Sequence, residues 1–279
     1  MLDWRKGTLR IGVSQQGIGV LHTTGWRSRT SILLDQRFDI EAAASPLELL
    51  SRCQVAIGSI KLSGMPATVV LSDDFARLFM VAPPQNVISL QDCKAAAAMR
   101  FQSLYGESMA SWQLAADWNA SRPFLACCLP HPLLSALQQF ARESRFQLIS
   151  VQPQFVASLN GWRHRLHKDD WFGQLHNRVL SLGATVNRKL HAIRATNIPD
   201  DAQGNDWLQQ HVAREALRLN LPVPRRLQLC GEIDKLALSP TEAKGTDALI
   251  CSALRDPFLL KVQTLPSPHI ALARSGVKL

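Results

Sequence analysis

The residues best suited to chemistry lie in a polar turn near the start of the chain. Residues 9–25, LRIGVSQQGIGVLHTTG, predict two short strands joined by a tight turn. The turn is made of small and polar residues: Ser14, Gln15, Gln16 and Gly17. Backbone N–H groups at such a turn can converge on a phosphate group. This stretch is therefore a candidate phosphate loop, and it is also explained as a plain hairpin within a sheet.

Two other groups of residues could do chemistry, and each has a simpler explanation. His164 and His167 have the i, i+3 spacing that could present two imidazoles to a metal, but no cysteine or third histidine is near in sequence. Asp73 and Asp74 are adjacent, so their side chains would diverge and make a poor acid–base pair; we predict a hairpin turn there. We expect no metal site and no catalytic residue.

Composition narrows the class of protein and the kind of partner. The chain has 279 residues with a formal net charge of +9, which favours an anionic partner or simple solubility. Nothing resembles the aromatic and glycine pattern of a single-strand RNA reader, so we do not expect nucleic acid. No stretch approaches the roughly 20 apolar residues of a membrane span, and the start lacks a signal peptide. We therefore expect a cytoplasmic protein with free cysteines.

The first half of the sequence predicts a mixed α/β pattern. Ser45 and Pro46 predict the start of a helix, and a second helix should run between Ser89 and Gly106. The apolar runs 67–71 and 78–81 read as another strand pair. Further strands are expected at 112–117, 124–128 and 146–151, with helices at 132–144 and from 155 to about 165.

The second half repeats this order. Strands at 171–175 and 178–182 form a pair, Gly183 is a predicted turn residue, and ATVNRKLHAIRAT reads as a half-exposed strand. Asn205 or Asp206 should cap a helix whose apolar stripe is Trp207, Leu208, Val212, Ala216 and Leu217. A short strand at 227–229 then stops at Cys230 and Gly231, and residues 246–266 are expected to hold one more helix, with room for a further strand.

Four stretches carry a resemblance to a known family: IGVSQQGIG, SLGATVN, LQLCGEID, and the segment from ATVVLSDDFARLFMVAPP to QPQFVASLN. In order and spacing they resemble the actin-like proteins of type IV pilus and type II secretion assembly, namely the PilM family and the cytoplasmic domain of GspL. The first three would correspond to that family's first phosphate loop, second phosphate loop and adenosine motif. It implies an α/β, actin-like (ribonuclease H-like) fold of two domains, residues 1–165 and 166–279. The first would carry an inserted subdomain at about 67–123, and the second would be reduced.

The resemblance also implies a remnant nucleotide site with important departures. The remnant loops would be Ser14, Gln15, Gln16 and Gly17, then Gly183, Ala184 and Thr185, and finally Gly231. Where the family carries the first-loop acid this chain has Gly12, the lysine after that loop is Gly19, and the second-loop acid is Ser181. Phosphoryl transfer depends on a metal ion and positioned charge. We therefore expect no hydrolysis, no enzyme activity and no required cofactor.

The function implied by this resemblance is a non-catalytic cytoplasmic scaffold of a type IV pilus or type II secretion-like machine. Its partners would be the cytoplasmic tail of a PilN-like or GspM-like inner-membrane protein, bound in a groove or by strand addition, or the assembly ATPase. Membrane association would then be indirect and peripheral. The alternative is an ATP-binding actin-like ATPase or a sugar-kinase-like enzyme, with a carboxylate supplied from elsewhere, for example Glu232.

Overall fold

The computed structural model describes residues 7–24, 29–38, 45–58, 60–85, 89–200, 202, 204–236, 249–261 and 267–277. Its strands, in chain order, are β1 (Thr8–Ser14), β2 (Gly17–Thr24), β3 (Arg29–Arg37), β4 (Pro66–Leu71), β5 (Arg77–Val81), β6 (Trp112–Ala116), β7 (Phe124–Pro130), β8 (Gln147–Pro153), β9 (Trp171–His176), β10 (Val179–Val186), β11 (Lys189–Asn197), β12 (Arg226–Gly231) and β13 (Ile250–Ala253). Its helices are α1 (Pro46–Ile57), α2 (Leu90–Tyr105), α3 (His131–Glu143), α4 (Gln154–Trp162), α5 (Gly204–Leu219), α6 (Pro257–Lys261) and α7 (Pro268–Arg274).

Two five-stranded sheets share the same strand order. The first runs β3-β2-β1-β4-β8 and the second runs β11-β10-β9-β12-β13. In each sheet three consecutive strands form an antiparallel meander, and two further strands add in parallel to its first strand. The duplication predicted from the sequence is therefore present as a repeated sheet topology.

Local sequence signals explain most helix ends. Ser45 caps α1 by accepting a hydrogen bond from the Glu48 backbone, with Pro46 in the first turn. Ser89 and Asp92 form a reciprocal capping box on α2, and Gly106 ends that helix in the left-handed conformation that glycine adopts without strain. Both helices were predicted at these residues, and both predictions are confirmed.

A third sheet, of order β5-β7-β6, lies between residues 77 and 130. This corrects the predicted strand pair at 67–71 and 78–81, because β4 pairs in parallel with β1 and β8, whereas β5 pairs with β7. The reason is the composition of β4: PATVVL is apolar on both faces, as a central parallel strand must be. β4 thus belongs to the first sheet, while the predicted domain limits at 165 and 166 stay a prediction.

The second half contains two further corrections. Gly183 is not a turn residue, because it lies inside β10 and pairs with Phe172 and Ile193. The turns fall instead at the Asn177–Arg178 and Asn187–Arg188 dipeptides, whose φ angles are all positive.

The α5 prediction also needs correction. The helix begins at Gly204, so Asn205 and Asp206 lie within its first turn and do not precede it. Leu217 is 83% exposed and does not belong to the buried stripe, which Leu208, Val212 and Ala216 form. The buried positions of α5, which are 208, 211, 212, 215 and 216, centre on Leu208. At about 100° per residue, Leu217 lies on the opposite side of the helix from Leu208.

Helix α7 was not predicted, although Ser267 caps it and Pro268 begins it, as Ser45 and Pro46 do for α1. It packs on β1 and β2 of the first sheet, where Ile270, Leu272 and Ala273 are fully buried. The first and last parts of the described chain are therefore joined in one packed layer. Within the described residues, no helix combines the length and apolarity required to cross a membrane.

Candidate functional site

The repeated sheets bring two hairpin turns together. Ser14 pairs with Gly17, so Gln15 and Gln16 form the tip between β1 and β2 as predicted. The corresponding tip of the second sheet is Asn177–Arg178, between β9 and β10. The Gln16 side chain donates a hydrogen bond from Nε2 to Asn177 Oδ1 at 2.9 Å. The two hairpin tips, one from each sheet, therefore contact each other directly. We call the place where they face each other the cleft.

The second tip is held by an acidic side chain from the end of β12. Glu232 Oε1 accepts a hydrogen bond from the Asn177 backbone N–H at 3.0 Å and lies 3.2 Å from His176 Nδ1. Gly231, at the end of β12, has φ +94°, and a Cβ there would lie 2.0 Å from the Leu175 carbonyl oxygen. The glycine is thus required for close approach of two strands, whether or not a ligand binds.

Helix α7 lies against the first hairpin where a phosphate loop would face its ligand. Gly12 and Gly19 are direct partners in the β1–β2 register, and together they form a trough without side chains. A Cβ on Gly12 would lie 2.5 Å from both the Ala273 nitrogen and the His269 carbonyl oxygen. A Cβ on Gly19 would lie 2.6 Å from that same oxygen. The α7 backbone therefore fills this trough.

The His269 ring covers the tip itself. Its Nδ1 lies 3.3 Å from Ser14 Oγ, and a Cβ on Gly17 would lie 2.4 Å from its Nε2. Ser14 Oγ also accepts a hydrogen bond from the Gln16 backbone N–H, so this donor is used within the turn. His269 is buried, and this burial is the largest effect on its pKa, which is lowered.

Arg10 fixes the other end of α7. Its Nε donates to the Ala273 carbonyl oxygen at 2.8 Å, and its second guanidinium nitrogen donates to the Ser275 carbonyl oxygen. A cation at the carboxyl end of a helix satisfies carbonyls that have no partner within the helix. Burial, and then the nearby charge of Arg274, lower the pKa of Arg10 to about 10.

A nucleoside triphosphate with Mg²⁺ does not fit this arrangement. The trough of Gly12 and Gly19 is filled by helix backbone, the turn of Ser14 to Gly17 is covered by a buried imidazole, and the Glu232 carboxylate already binds the opposite tip. Gly12 and Gly19, the positions matched to an acid and a lysine in the resemblance, both make room for the α7 backbone.

The predicted second loop does not reach the cleft as a loop. Gly183, Ala184 and Thr185 are buried strand residues; a Cβ on Gly183 would meet the Phe155 ring at 2.7 Å, and Thr185 Oγ1 donates to the Asp170 carbonyl oxygen. Of the predicted remnant residues, the structure places Ser14 to Gly17 and Gly231 at the cleft. The residues that sequence reasoning missed are Asn177, Arg178 and His269.

Asp73 is a further residue whose role the sequence did not reveal. It lies in a short 3₁₀ turn, Asp73–Phe75, after β4, where we predicted a hairpin. Its Oδ1 accepts from the Phe155 backbone N–H at the start of α4, and its Oδ2 accepts from Ser181 Oγ, both at 2.9 Å. A carboxylate is thus present beside Ser181, the position of the family's second acid, but it comes from the first sheet.

The surroundings of Asp73 shift its titration. Burial raises the pKa of Asp73 to about 6, against the lowering effect of the two hydrogen bonds from Phe155 and Ser181. The folded protein therefore binds this proton more tightly than the unfolded chain does. The resulting stabilisation is complete below about pH 4 and is lost as the pH rises through about 6.

We expect Asp73→Asn to be more stable than the wild type at pH 7.5 by about 1–2 kcal/mol, because it removes a buried charge. The amide oxygen still accepts from the Phe155 N–H, and the amide nitrogen donates to Ser181 Oγ in place of the bond that the carboxylate accepted. The difference should vanish towards pH 4. Melting temperature measured against pH for both proteins checks this. Ser181→Ala removes a donor to the carboxylate and should make the loss of stability with rising pH steeper. Parallel pH curves for Asp73→Asn and the wild type would contradict the assignment.

A cavity of about 320 Å³ lies beneath α6 and α7, beside the end of β12. Its floor is polar and buried, with the side chains of Gln154, Ser158, Gln174 and Cys230. Arg274 and Asp256 also line the cavity, and the guanidinium of Arg274 donates two hydrogen bonds to the carboxylate of Asp256, with N–O distances of 2.6 and 2.9 Å. Gly231 lines this cavity, so it is the space that corresponds to the adenosine motif in the resemblance.

His164 and His167, the pair with helical spacing, make ordinary surface contacts. His164 Nε2 accepts from Arg163 Nε at 3.2 Å, and the His167 backbone N–H donates to Asp170. In the parts of the chain that the structure covers, no cluster of three or more His, Cys, Asp or Glu side chains could hold a metal ion.

No protein-family model matches this chain, and no curated protein matches it either. Comparison of structures, in contrast, finds many matches. The doubled sheet with two facing hairpin tips is that of the actin-like ATPase fold, and the predicted fold class is confirmed.

Three solved structures illustrate the similarity. A PilM–PilN type IV pilus biogenesis complex matches with a TM-score of 0.66 and 14% identity, over 96% of this chain and 97% of that one. The cytoplasmic domain of EpsL, an inner-membrane component of the type II secretion system of Vibrio cholerae, matches with a TM-score of 0.55 and 12% identity. This match covers 88% of this chain and 90% of that one. A Bacteroides thetaiotaomicron protein of actin-like ATPase fold and unknown function matches with a TM-score of 0.57 and 10% identity. This match covers 85% of this chain and 89% of that one.

Proposed function

We propose that this chain is a non-catalytic cytoplasmic scaffold of a type IV pilus or type II secretion-like assembly machine. The observation that carries the proposal is the seating of the α7 backbone on Gly12 and Gly19, which removes the space for phosphates. An actin-like fold without that space retains the surfaces of the fold and loses the basis of its phosphoryl chemistry. The fold shared with a PilM–PilN complex supports a PilN-like inner-membrane protein as the partner.

The surface we assign to this partner is the groove between β5 and α2. Its lining is mainly apolar and includes Met80, Pro84 and Met99, the last being 73% exposed on α2. Methionine side chains adapt to an apolar segment of a bound peptide. The groove volume of about 860 Å³ suits several side chains of an extended tail. The proposed occupant is the cytoplasmic tail of the PilN-like protein, held by apolar side chains.

The experiment is a titration of the 279-residue chain with a synthetic tail of the PilN-like protein from the same organism, followed by calorimetry. We expect saturable binding that a scrambled tail does not show. Met99→Glu should weaken it at least about tenfold, because a charge would be buried against apolar side chains. The matched control is Leu217→Glu, at an exposed leucine on α5, which should bind as the wild type does.

A second arm tests the enzyme alternative. A saturating ligand stabilises the folded state by about 2.7 kcal/mol at a hundred times its Kd, which raises Tm by several degrees. We expect Mg-ATP to leave Tm unchanged. A rise of several degrees would favour the ATP-binding alternative, and absence of tail binding would remove the scaffold proposal.

A further inference from the structure

One edge of the second sheet collects basic side chains from separate parts of the chain. β9 and β12 are parallel and begin at the same edge, with Leu227 beside Trp171. β10 ends at this edge and β11 starts there, with Val186 opposite Lys189. The exposed basic residues at this place, which we call the basic edge, are Lys168, Arg188, Lys189 and Arg225.

Hydrogen bonds hold these segments together. Asp169 Oδ1 accepts from the Asn187 backbone N–H at 2.6 Å, which ties the segment before β9 to the β10–β11 turn. The Arg225 carbonyl oxygen accepts from the Ile250 backbone N–H at 3.0 Å, which fixes the start of β12 beside β13. The basic residues are therefore presented by ordered backbone on one side of the sheet.

Two carboxylates lie at this edge. Asp169 is exposed and accepts from Asn187 as described, whereas Asp170 is buried, where it accepts from Gln228 and lies 3.8 Å from Arg226 Nε. Asp169 therefore offsets one of the four positive charges of the basic edge, and the exposed side chains keep a net positive charge. The edge faces away from the cleft, because His176 and Gly231 lie at the opposite ends of β9 and β12.

We infer that the basic edge binds an anionic phospholipid surface. A lysine or arginine close to such a surface contributes about 1 kcal/mol, so several side chains on one edge suffice for peripheral attachment. A single-stranded nucleic acid would require exposed aromatic side chains for stacking, and the tryptophan at this edge, Trp171, is only 2% exposed. This extends the proposed function, because a scaffold that meets an inner-membrane partner gains from its own attachment to the membrane.

The test is co-sedimentation of the full chain with phosphatidylcholine vesicles that contain about three-tenths phosphatidylglycerol, with pure phosphatidylcholine vesicles as reference. We expect binding only to the anionic vesicles, falling steeply as salt rises from about 0.1 to 0.5 M. Lys168→Glu/Lys189→Glu should weaken this binding at least about tenfold. The matched control, Lys94→Glu/Arg142→Glu, makes the same change of net charge on α2 and α3 and should stay within about twofold.

Three outcomes would overturn the inference. They are equal binding to neutral vesicles, equal losses in the two double variants, and tighter binding to a DNA duplex that Lys168→Glu/Lys189→Glu abolishes. Unchanged melting temperatures show that the variants fold. Because no partner tail is present, failure here leaves the scaffold proposal standing, and failure of tail binding leaves this inference standing.

Discussion

Gly12→Ala is expected to destabilise the folded protein by about 3 kcal/mol, the upper part of the usual range for overpacking. The new methyl group would stand 2.5 Å from two backbone atoms of α7, and a helix backbone cannot rotate away as a side chain can. The sheet and α7 must therefore separate, with loss of the buried contacts of Ile270, Leu272 and Ala273. Urea unfolding with a constant m-value measures the change directly.

Gly106→Ala is the control for this prediction. Gly106 has φ +68° at the end of α2, and nothing lies within 4 Å of the added Cβ. Its substitution should therefore cost only the backbone strain, about 1 kcal/mol. If Gly12→Ala is no more destabilising than Gly106→Ala, α7 does not occupy the trough and the case against phosphate binding fails.

Arg274→Met is expected to cost about 3–5 kcal/mol, because it leaves the Asp256 carboxylate buried without its partner. Both side chains are at most 10% exposed, and the guanidinium makes two hydrogen bonds to the carboxylate. Methionine retains much of the apolar stem that packs against Phe258, so the loss reports mainly the charge. Urea unfolding of the single and double variants measures it.

The double variant Arg274→Met/Asp256→Asn should recover at least half of that loss, since no uncompensated charge remains. Arg255→Met tests an exposed pair of similar length, 3.0 Å to Asp234, and should cost less than about 1 kcal/mol. Equal costs for Arg274→Met and Arg255→Met would show that the Arg274 pair is not buried in solution.

Sequence reasoning succeeded where the signal is local or repeated. Ser45 with Pro46, and Ser89 with Gly106, mark helix ends through hydrogen bonds to their own helices, so no distant residue is needed to interpret them. The repeated order of strands likewise predicted two related sheets. Helix caps depend on residues that are close in sequence, and the two related sheets depend on a repeated pattern. A single sequence contains the information for both.

The errors arose where a glycine or turn depends on a distant neighbour. Gly183 suggested a turn, but its missing side chain accommodates the Phe155 ring. The turns lie at Asn177–Arg178 and Asn187–Arg188. Asparagine tolerates positive φ, but arginine is not a typical turn residue, so these dipeptides were not recognised as turns. A repeated Asn-Arg dipeptide was the available clue.

The glycines of the first hairpin were interpreted only as lost functional groups. In the structure, Gly12 and Gly19 receive the backbone of a helix that begins at Pro268. That helix has seven residues, too few for a clear periodic pattern, and Ser267 with Pro268 was its only local signal. The role of Asp73 was missed because its two hydrogen-bond partners lie more than 80 residues away in the sequence.

The joining of α7 to β1 also sets the order in which the protein can fold during synthesis. The bonds of Arg10 to Ala273 and Ser275 close loops of 263 and 265 residues, so they carry a high entropy of loop closure and must form late. The first sheet emerges from the ribosome long before its covering helix, with the trough of Gly12 and Gly19 exposed. The nascent chain therefore passes through a stage in which this apolar face is open to chaperones.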